Sequence, residues 1–200
     1  MKTVAGNLSD QRLRKSIIRI LRDSELCSIA TLDPRNRPHI NTAYFCYRDL
    51  DDLEIFFLSD TKSRHCRNLS RNPSMAMTIF RTNQPWDAPG RGLQLFGTCS
   101  QTEGQLAREA ERANAKRFPS YMRWMSSTKK DEKKLAEQLR SYRFYRFIPR
   151  QLKVLDEAEY GGAAFVMVTI KPRNPASKTQ KASPRAWIKS IGPPFFPRFS

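Results

Sequence analysis

The sequence predicts a mainly β protein in which six or seven short strands form a small closed or partly closed antiparallel barrel with helices at its corners. The first observation behind this prediction is a series of short apolar runs separated by turn residues, such as those at 33–36. The second is that 39% of the 200 residues are apolar, which is sufficient for one domain with a substantial core. The third is that helical periodicity is found only in a few segments outside these runs.

The N-terminal half is predicted to contain a helix followed by an antiparallel meander. Ser9 is predicted to cap this helix and Asp10 to be an acidic residue of its first turn, and its apolar residues recur at helical spacing up to about Asp23. A second, short helix ends at Arg71, because Asn72-Pro73 forbids its continuation. The strands between the two helices are predicted at residues 26–32, 38–47 and 53–59, with turns at 33–36 and 49–52.

The C-terminal half is predicted to continue the barrel around a helical insertion. Strands are expected at 75–81, 93–99, 143–148, 152–155 and 164–170, and charged helices at 104–117 and 121–139. We therefore expect one domain over residues 1–172, with the insertion at about 104–140. Residues 173–200 are rich in proline and hold basic but no acidic residues, which predicts an extended, basic tail.

The formal net charge of +17 predicts an anionic partner. A phosphorylated cofactor, a nucleic acid and an acidic surface all fit this charge. No apolar run approaches the length of a membrane span, and the N-terminus lacks the apolar core of a signal peptide. We therefore expect a soluble, cytoplasmic protein that does not bind a membrane.

The four cysteines predict neither a disulfide framework nor a zinc site. None of them forms a CxxC pair, and three lie within predicted strands. Reduced, buried thiols are the expectation, and no metal site is predicted.

A basic turn at the start of the short helix is the candidate binding site. A helix capped by Thr61 or Ser63 directs unpaired backbone N–H groups outward, where they attract anions. Lys62, Arg64 and His65 add positive charge in the same turn. The turn is therefore either a phosphate site or simply the solvated, basic start of a helix.

The order and spacing of several segments resemble the FMN-binding split barrel of the pyridoxamine 5'-phosphate oxidase-like proteins, over residues 10–170. The segments that carry the resemblance are Cys27 to Asp33, Arg37 to Ala43, Ser63-Arg64-His65, Asn68-Leu69, Arg71-Asn72-Pro73, Gln94 to Thr98 and Phe144 to Pro149. The resemblance implies a six-stranded antiparallel split β-barrel and a homodimer. It also implies FMN at the dimer interface, with its phosphate on the basic turn.

The resemblance also implies which residues hold the cofactor. Ser63 and Arg64 match the family's phosphate-binding Ser-Arg pair, whereas His65 stands where a lysine is usual. His39 and Tyr44 replace a usual arginine and lysine, and both can still donate a hydrogen bond. The cofactor-binding residues expected on this basis are His39, Asn41, Thr42, Ser59, Lys62, Ser63, Arg64, His65 and Gln94.

The resemblance implies a flavin-dependent oxidoreductase acting on an unknown small substrate. The substrate-binding tryptophan and arginine of the true vitamin B6 oxidase are not visible here, so pyridoxamine 5'-phosphate is not the expected substrate. No nucleophilic triad is present, and the sequence predicts no catalytic residue.

Three alternatives remain open. The same barrel hosts deazaflavin reductases and haem-handling proteins, and for haem the chain offers only two histidines as axial ligands. The third alternative is nucleic-acid binding, for which the candidates are Lys129, Lys130, Lys133, Lys134 and the tail aromatics Trp187, Phe195, Phe196 and Phe199. The lysines alternate with acidic residues, which favours a solvated helix over a nucleic-acid interface.

Overall fold

The computed structural model describes residues 2–48, 53–162 and 164–170. The strands are β1 Lys2–Gly6, β2 Leu26–Leu32, β3 Pro38–Arg48, β4 Glu54–Ser59, β5 Ser74–Phe80, β6 Arg91–Gln101, β7 Arg143–Asp156 and β8 Ala164–Thr169. The helices are α1 Gln11–Asp23, α2 Arg64–Arg71, α3 Gly104–Arg117, α4 Pro119–Ser126, α5 Lys130–Ser141 and α6 Glu157–Tyr160.

Six strands form a closed antiparallel barrel in the order β7-β4-β3-β2-β5-β6, with β6 returning to pair with β7. On its other side, β7 pairs with β4 through residues 143–147 and with β8 through residues 151–155. Strand β1 pairs with β8 in parallel, outside the ring. Along β7 the pairing partner therefore changes from β4 to β8, and this is the split in the sheet that the split-barrel prediction requires.

The main core fills the barrel and takes in one face of both α1 and α2. Helix α1 contributes Leu13, Ile17 and Leu21, which recur at helical spacing and are fully buried. Helix α2 contributes Cys66 and Leu69 to the same core. A smaller apolar cluster outside the ring joins the sheet to α3. All four cysteines are free and buried, as predicted.

Two predicted element boundaries differ from the structure for physical reasons. The predicted helix over 121–139 is two helices, α4 and α5, separated by the non-helical residues 127–129. In this break the Ser127 hydroxyl accepts a hydrogen bond from the Lys129 N–H at 3.2 Å. The two strands predicted at 143–148 and 152–155 are one strand, β7, whose register with β6 shifts between Phe96 and Gly97. A Cβ at Gly97 would collide with the carbonyl oxygen of Ile148, so this crossing accepts only glycine.

The short elements β1 and α6 were not predicted. The predicted turn at 49–52 and the predicted basic tail at 173–200 lie outside the described residues. Within the described part of the chain, no helix is both long enough and apolar enough to cross a membrane.

Candidate functional site

The turn between β4 and α2 is tied down by its own side chains. The Ser63 hydroxyl caps α2 by accepting a hydrogen bond from the Cys66 backbone N–H at 3.4 Å. The Asp60 carboxylate accepts from the Lys62 backbone N–H at 2.8 Å, and its carbonyl accepts from the Ser63 N–H at 3.0 Å. Of the two caps predicted, Ser63 is therefore the one used, and Thr61 is exposed.

His65 is the centre of the cluster at this turn. Its Nε2 lies 2.6 Å from the Ser59 hydroxyl and 3.1 Å from the Ser63 hydroxyl, and the residue is only 5% exposed. Its ring stacks on His39, with the ring centroids 6.4 Å apart. Burial, and secondarily the charge of His39, lower the pKa of His65. The imidazole is therefore mainly neutral near neutral pH, and it acts as a hydrogen-bonding group rather than as a cation.

Asp33, in the β2–β3 turn, connects two arginines beside this cluster. Its Oδ2 accepts hydrogen bonds from the Arg37 Nε at 2.9 Å and from the Arg64 Nη2 at 3.3 Å. The backbone N–H of Arg37, the side chain of Arg37 and the backbone N–H of Arg35 all lower the pKa of Asp33, against the effect of burial. The carboxylate stays ionised and joins the hairpin to the start of α2.

The first half of β3 forms the wall of the site because β4 does not cover it. Strand β4 pairs only with residues 45–48 of β3. Along the uncovered part, His39 and Asn41 alternate with outward-facing residues and share the inner face with the core residue Phe45. Helix α2 closes over the same region, where the Asn68 amide donates to the Thr31 hydroxyl at 3.0 Å.

The structure brings some of the predicted site residues together and separates others. The residues gathered between α2, the end of β4 and the inner face of β3 are His39, Ser59, Ser63, Arg64 and His65, with Asn41 two residues along β3 and the exposed Lys62 on the turn.

Thr42 and Gln94 lie on the outer face of the barrel instead. Thr42 pairs with Ser28, Ser28 with Thr78, and Thr78 with Gln94 in one row across four strands. Three strand spacings separate the ends of this row by about 14 Å. Because this row is on the face opposite His39 and Asn41, a single chain does not place Thr42 or Gln94 in the cluster that contains His65.

Sequence reasoning missed Asp33, Arg37 and Asn68 as parts of this site. Asp33 was interpreted only as a turn residue, and its backbone contacts do make it one, since its Oδ1 accepts from the Arg35 and Arg37 N–H groups. The sequence did contain a signal, because Asp33 lies in the same turn as Arg35 and Arg37 and could pair with a basic residue from another segment.

The lysines of the charged helices show no comparable arrangement. Lys130, Lys133 and Lys134 are exposed on α5, where Asp131 and Glu137 are exposed as well. This mixture of charges is typical of a solvated helix. The tail aromatics, which were the other candidates for nucleic-acid binding, lie outside the described residues.

Comparison with solved structures identifies several chains with the same fold. The haem storage protein HutZ of Vibrio cholerae is 22% identical, with a TM-score of 0.56, over 72% of this chain and 96% of that one. A haem-binding protein of Mycobacterium smegmatis is 14% identical, with a TM-score of 0.56, over 75% of this chain but 55% of that one. At these identities the likeness shows the fold alone.

A third chain with the same fold comes from a protein of a named family. It is a Clostridium acetobutylicum protein of the pyridoxinephosphate oxidase family, related to general stress protein 26 of B. subtilis. It is 14% identical, with a TM-score of 0.56, over 80% of this chain and 96% of that one.

A search of curated proteins finds no match. Residues 13–155 match the family model described as pyridoxamine 5'-phosphate oxidase. With that match across most of its length and with a split barrel of the corresponding topology, the chain belongs to the pyridoxamine 5'-phosphate oxidase family.

Proposed function

We propose that this protein binds FMN and uses it as a flavin-dependent oxidoreductase acting on a small substrate. The observation that carries the proposal is the group of hydroxyl, imidazole and guanidinium donors around the start of α2. Ser59 and Ser63 both contact His65, and Arg64 follows the helix cap directly. Donors of this kind at a helix N-terminus favour a phosphate.

The residues present fit the phosphate of FMN. Arg64 is half exposed and makes one contact of 3.3 Å with Asp33, so most of its guanidinium donors remain available. Lys62 adds an exposed charge on the same turn. His65, whose pKa is lowered by burial, is mainly neutral near neutral pH, so it serves by hydrogen bonding through Ser59 and Ser63. The charge that attracts the phosphate comes from arginine and lysine.

The inner face of β3 is the proposed support for the flavin ring. His39 and Asn41 are partly buried there and carry groups that hydrogen-bond to a polar ring edge. The bound flavin supplies the hydride and electron transfer. This chain binds and orients it, and the packing of α2 against β3 excludes water from one side of the site.

We also propose a homodimer formed through the outer face of β3, β2, β5 and β6. Large apolar side chains are exposed on this face, with Ile40 69% and Tyr44 61% exposed, and Phe80 and Phe96 exposed on the neighbouring strands. Ile40, Ala30, Ala76 and Phe96 form one apolar row beside the polar row that contains Thr42 and Gln94. Exposed apolar and aromatic side chains on both sides of one short polar row favour a protein interface. In a dimer, Thr42 and Gln94 would face the partner.

The dimer is tested by sedimentation of the wild type and the Ile40→Glu variant. A charge at the centre of the face should convert a wild-type dimer into a monomer. Ile18→Glu is the matched control, since Ile18 is exposed on α1, whose opposite side packs into the barrel core rather than on this face. A monomeric wild type, or a dimer unaffected by Ile40→Glu, would contradict the proposed interface.

The cofactor is tested by the absorbance spectrum of the purified protein, recorded again after FMN is added and the excess removed. Retained flavin bands would support the proposal, and their bleaching by NAD(P)H under anaerobic conditions would support an oxidoreductase. A protein that takes up no FMN would contradict the proposal and direct the work to haem and deazaflavin.

Haem is the second candidate, favoured by the haem-binding proteins among the structural neighbours. The chain has two histidines, and Nε2 of His65 is already engaged with Ser59 and Ser63. His39 is therefore the histidine available as an axial ligand. A Soret band that appears with added haem and is abolished in His39→Ala would support this candidate over FMN.

A further inference from the structure

Arg37 lies beside Arg64, on the same carboxylate oxygen. The Arg37 Nη2 is 2.8 Å from Asp33 Oδ2 and the Arg64 Nη2 is 3.3 Å from it. We propose that Arg37 is a second phosphate-binding arginine, which Asp33 positions next to Arg64 so that the two guanidinium groups grip the phosphate of the flavin together. This inference rests on the proposed FMN function and adds a residue to the phosphate site that sequence reasoning did not assign.

The hairpin holds Arg37 in a fixed position. Asp33 Oδ1 accepts from the backbone N–H groups of Arg35 and Arg37, each at 2.9 Å. The Asp33 N–H donates to the Arg37 carbonyl at 3.0 Å, and Asn36 takes the left-handed conformation at φ 58° that closes the turn. The backbone is thus fixed on both sides of the turn, and Asp33 Oδ2 accepts from both Nε and Nη2 of Arg37, so the guanidinium is preorganised for a ligand.

Both arginines keep donors for a ligand. A guanidinium carries five N–H donors. Asp33 takes up Nε and Nη2 of Arg37 and only Nη2 of Arg64. The side chains are 61% and 50% exposed, whereas that of Asp33 is 6% exposed. One carboxylate cannot neutralise two arginines, so the pair presents net positive charge and unused donors to solvent.

The position of the pair coincides with the proposed phosphate site. Arg37 precedes His39 by two residues, and Arg64 directly precedes His65. The two histidines stack on each other, so the segment carrying Arg37 and the first turn of α2 are held together at two points. Since His65 is mainly neutral, the positive charge next to the Ser63 cap must come from the arginines and Lys62.

A purely structural role is the competing explanation, in which the ion pairs only fasten the hairpin to α2. The two roles differ in what they predict for ligands with and without a phosphate. A phosphate-binding arginine affects FMN but not riboflavin, which has the same ring system and lacks the phosphate. A fastening residue affects both ligands equally or neither of them.

The experiment is a fluorescence titration of the full chain with FMN and with riboflavin. It compares the wild type with Arg37→Ala, Arg37→Lys, Arg64→Ala and the control Arg35→Ala, whose side chain is exposed on the same turn. Arg37→Ala should weaken FMN binding about 10- to 100-fold, as expected for the loss of a charged hydrogen-bond donor, and leave riboflavin binding unchanged. Arg37→Lys should recover part of the affinity because it keeps the charge but not the planar fork. Arg35→Ala should bind both ligands like the wild type.

Three results would overturn the inference. If Arg64→Ala loses FMN affinity and Arg37→Ala does not, Arg37 has only a fastening role while the proposed function stands. If Arg37→Ala weakens FMN and riboflavin equally, the effect is structural. If neither arginine variant changes FMN binding, or the wild type does not bind FMN, the proposed phosphate site fails together with the inference.

Discussion

Asp156 and Asp33 each hold two arginines, but the two pairs of arginines differ in their exposure to solvent. Asp156 is 0% exposed and accepts hydrogen bonds from Ser16, Arg19 and Arg91, which join α1 to the ends of β6 and β7. Asp33 is nearly buried too, yet its arginines are half exposed at the start of α2. The same carboxylate–guanidinium chemistry therefore braces the fold at Asp156 and presents charge to solvent at Asp33. The difference lies in the exposure of the arginine side chains, which are 33% and 36% exposed at Asp156 but 61% and 50% exposed at Asp33.

The largest effect should come from Asp156→Ala. The substitution leaves two partly buried arginines and the Ser16 hydroxyl without their acceptor, which should lower the free energy of unfolding by about 3 kcal/mol. Denaturant titration measures the loss. The control is Asp23→Ala, whose ion pair with Arg22 is 3.6 Å long and exposed to solvent, and which should cost about 0.5 kcal/mol or less. Equal losses in the two variants would show that Asp156 is not a brace.

Arg64→Ala should show the opposite pattern, with a loss of binding rather than of stability. Removing its guanidinium should weaken FMN binding by about 2 kcal/mol, since a charged donor to the phosphate is lost. Arg71→Ala, in the last turn of the same helix, is the matched control and should bind FMN normally. Unchanged FMN affinity in Arg64→Ala would indicate that the arginine at Asp33 has a structural role, like those at Asp156, and does not bind the phosphate.

Stability should also depend on pH through His65. Its pKa in the folded protein is lowered from 6.5, mainly by burial, so the unfolded chain takes up the proton first. The free energy of unfolding should therefore decrease as pH falls below 6.5 toward the lowered pKa of the folded protein. The lowered pKa values of Asp33 and Asp156 contribute stability that is lost only at lower pH, as pH falls from around 3.8 and protonates these carboxylates. The variant His65→Gln should flatten the decrease that begins near pH 6.5, and an unchanged profile in that variant would contradict this assignment.

Ionic strength should have the smallest effect. Raising it from about 0.01 M to about 0.15 M shortens the screening length from about 30 Å to about 8 Å. The half-exposed arginines at Asp33 should then attract FMN several-fold less strongly, whereas riboflavin binding should not change. Titration of both flavins at the two ionic strengths measures the difference, and equal salt dependence would indicate that charge does not guide FMN binding.

Local sequence patterns were sufficient for most of the fold. Turn chemistry at 33–36 set the β2–β3 hairpin, and Asn72-Pro73 ends α2; the cap of α1 is Asp10, one residue after the predicted Ser9. These elements depend on neighbours within a few residues, so their signals are present in the sequence. The continuity of β7 depends instead on how Gly97 crosses Ile148, a contact between distant segments that no local pattern records.

Part of the candidate site was equally predictable. The Ser63 cap and the charges of Lys62 and Arg64 follow from a strand that ends, turns and restarts as a helix. The neutral state of His65 was not predictable, because it results from burial beneath His39 and the barrel. The resemblance implies a glutamine at Gly92, and Gln94 was grouped with the site as a substitute two residues further along the same strand face; its place on the outer face emerged only from the pairing of β5 and β6.

The sequence by itself determined the strands, the capped basic turn and the surplus of positive charge, because each depends on residue type and short-range spacing. Only the tertiary structure decided which charges act together. Asp33 and Arg64 are distant in sequence, and barrel closure brings them within 3.3 Å. It buries Asp156 completely and leaves the arginines of Asp33 half exposed. Burial and contact between distant segments are properties of the packed chain, and these properties separate a structural ion pair from a binding site.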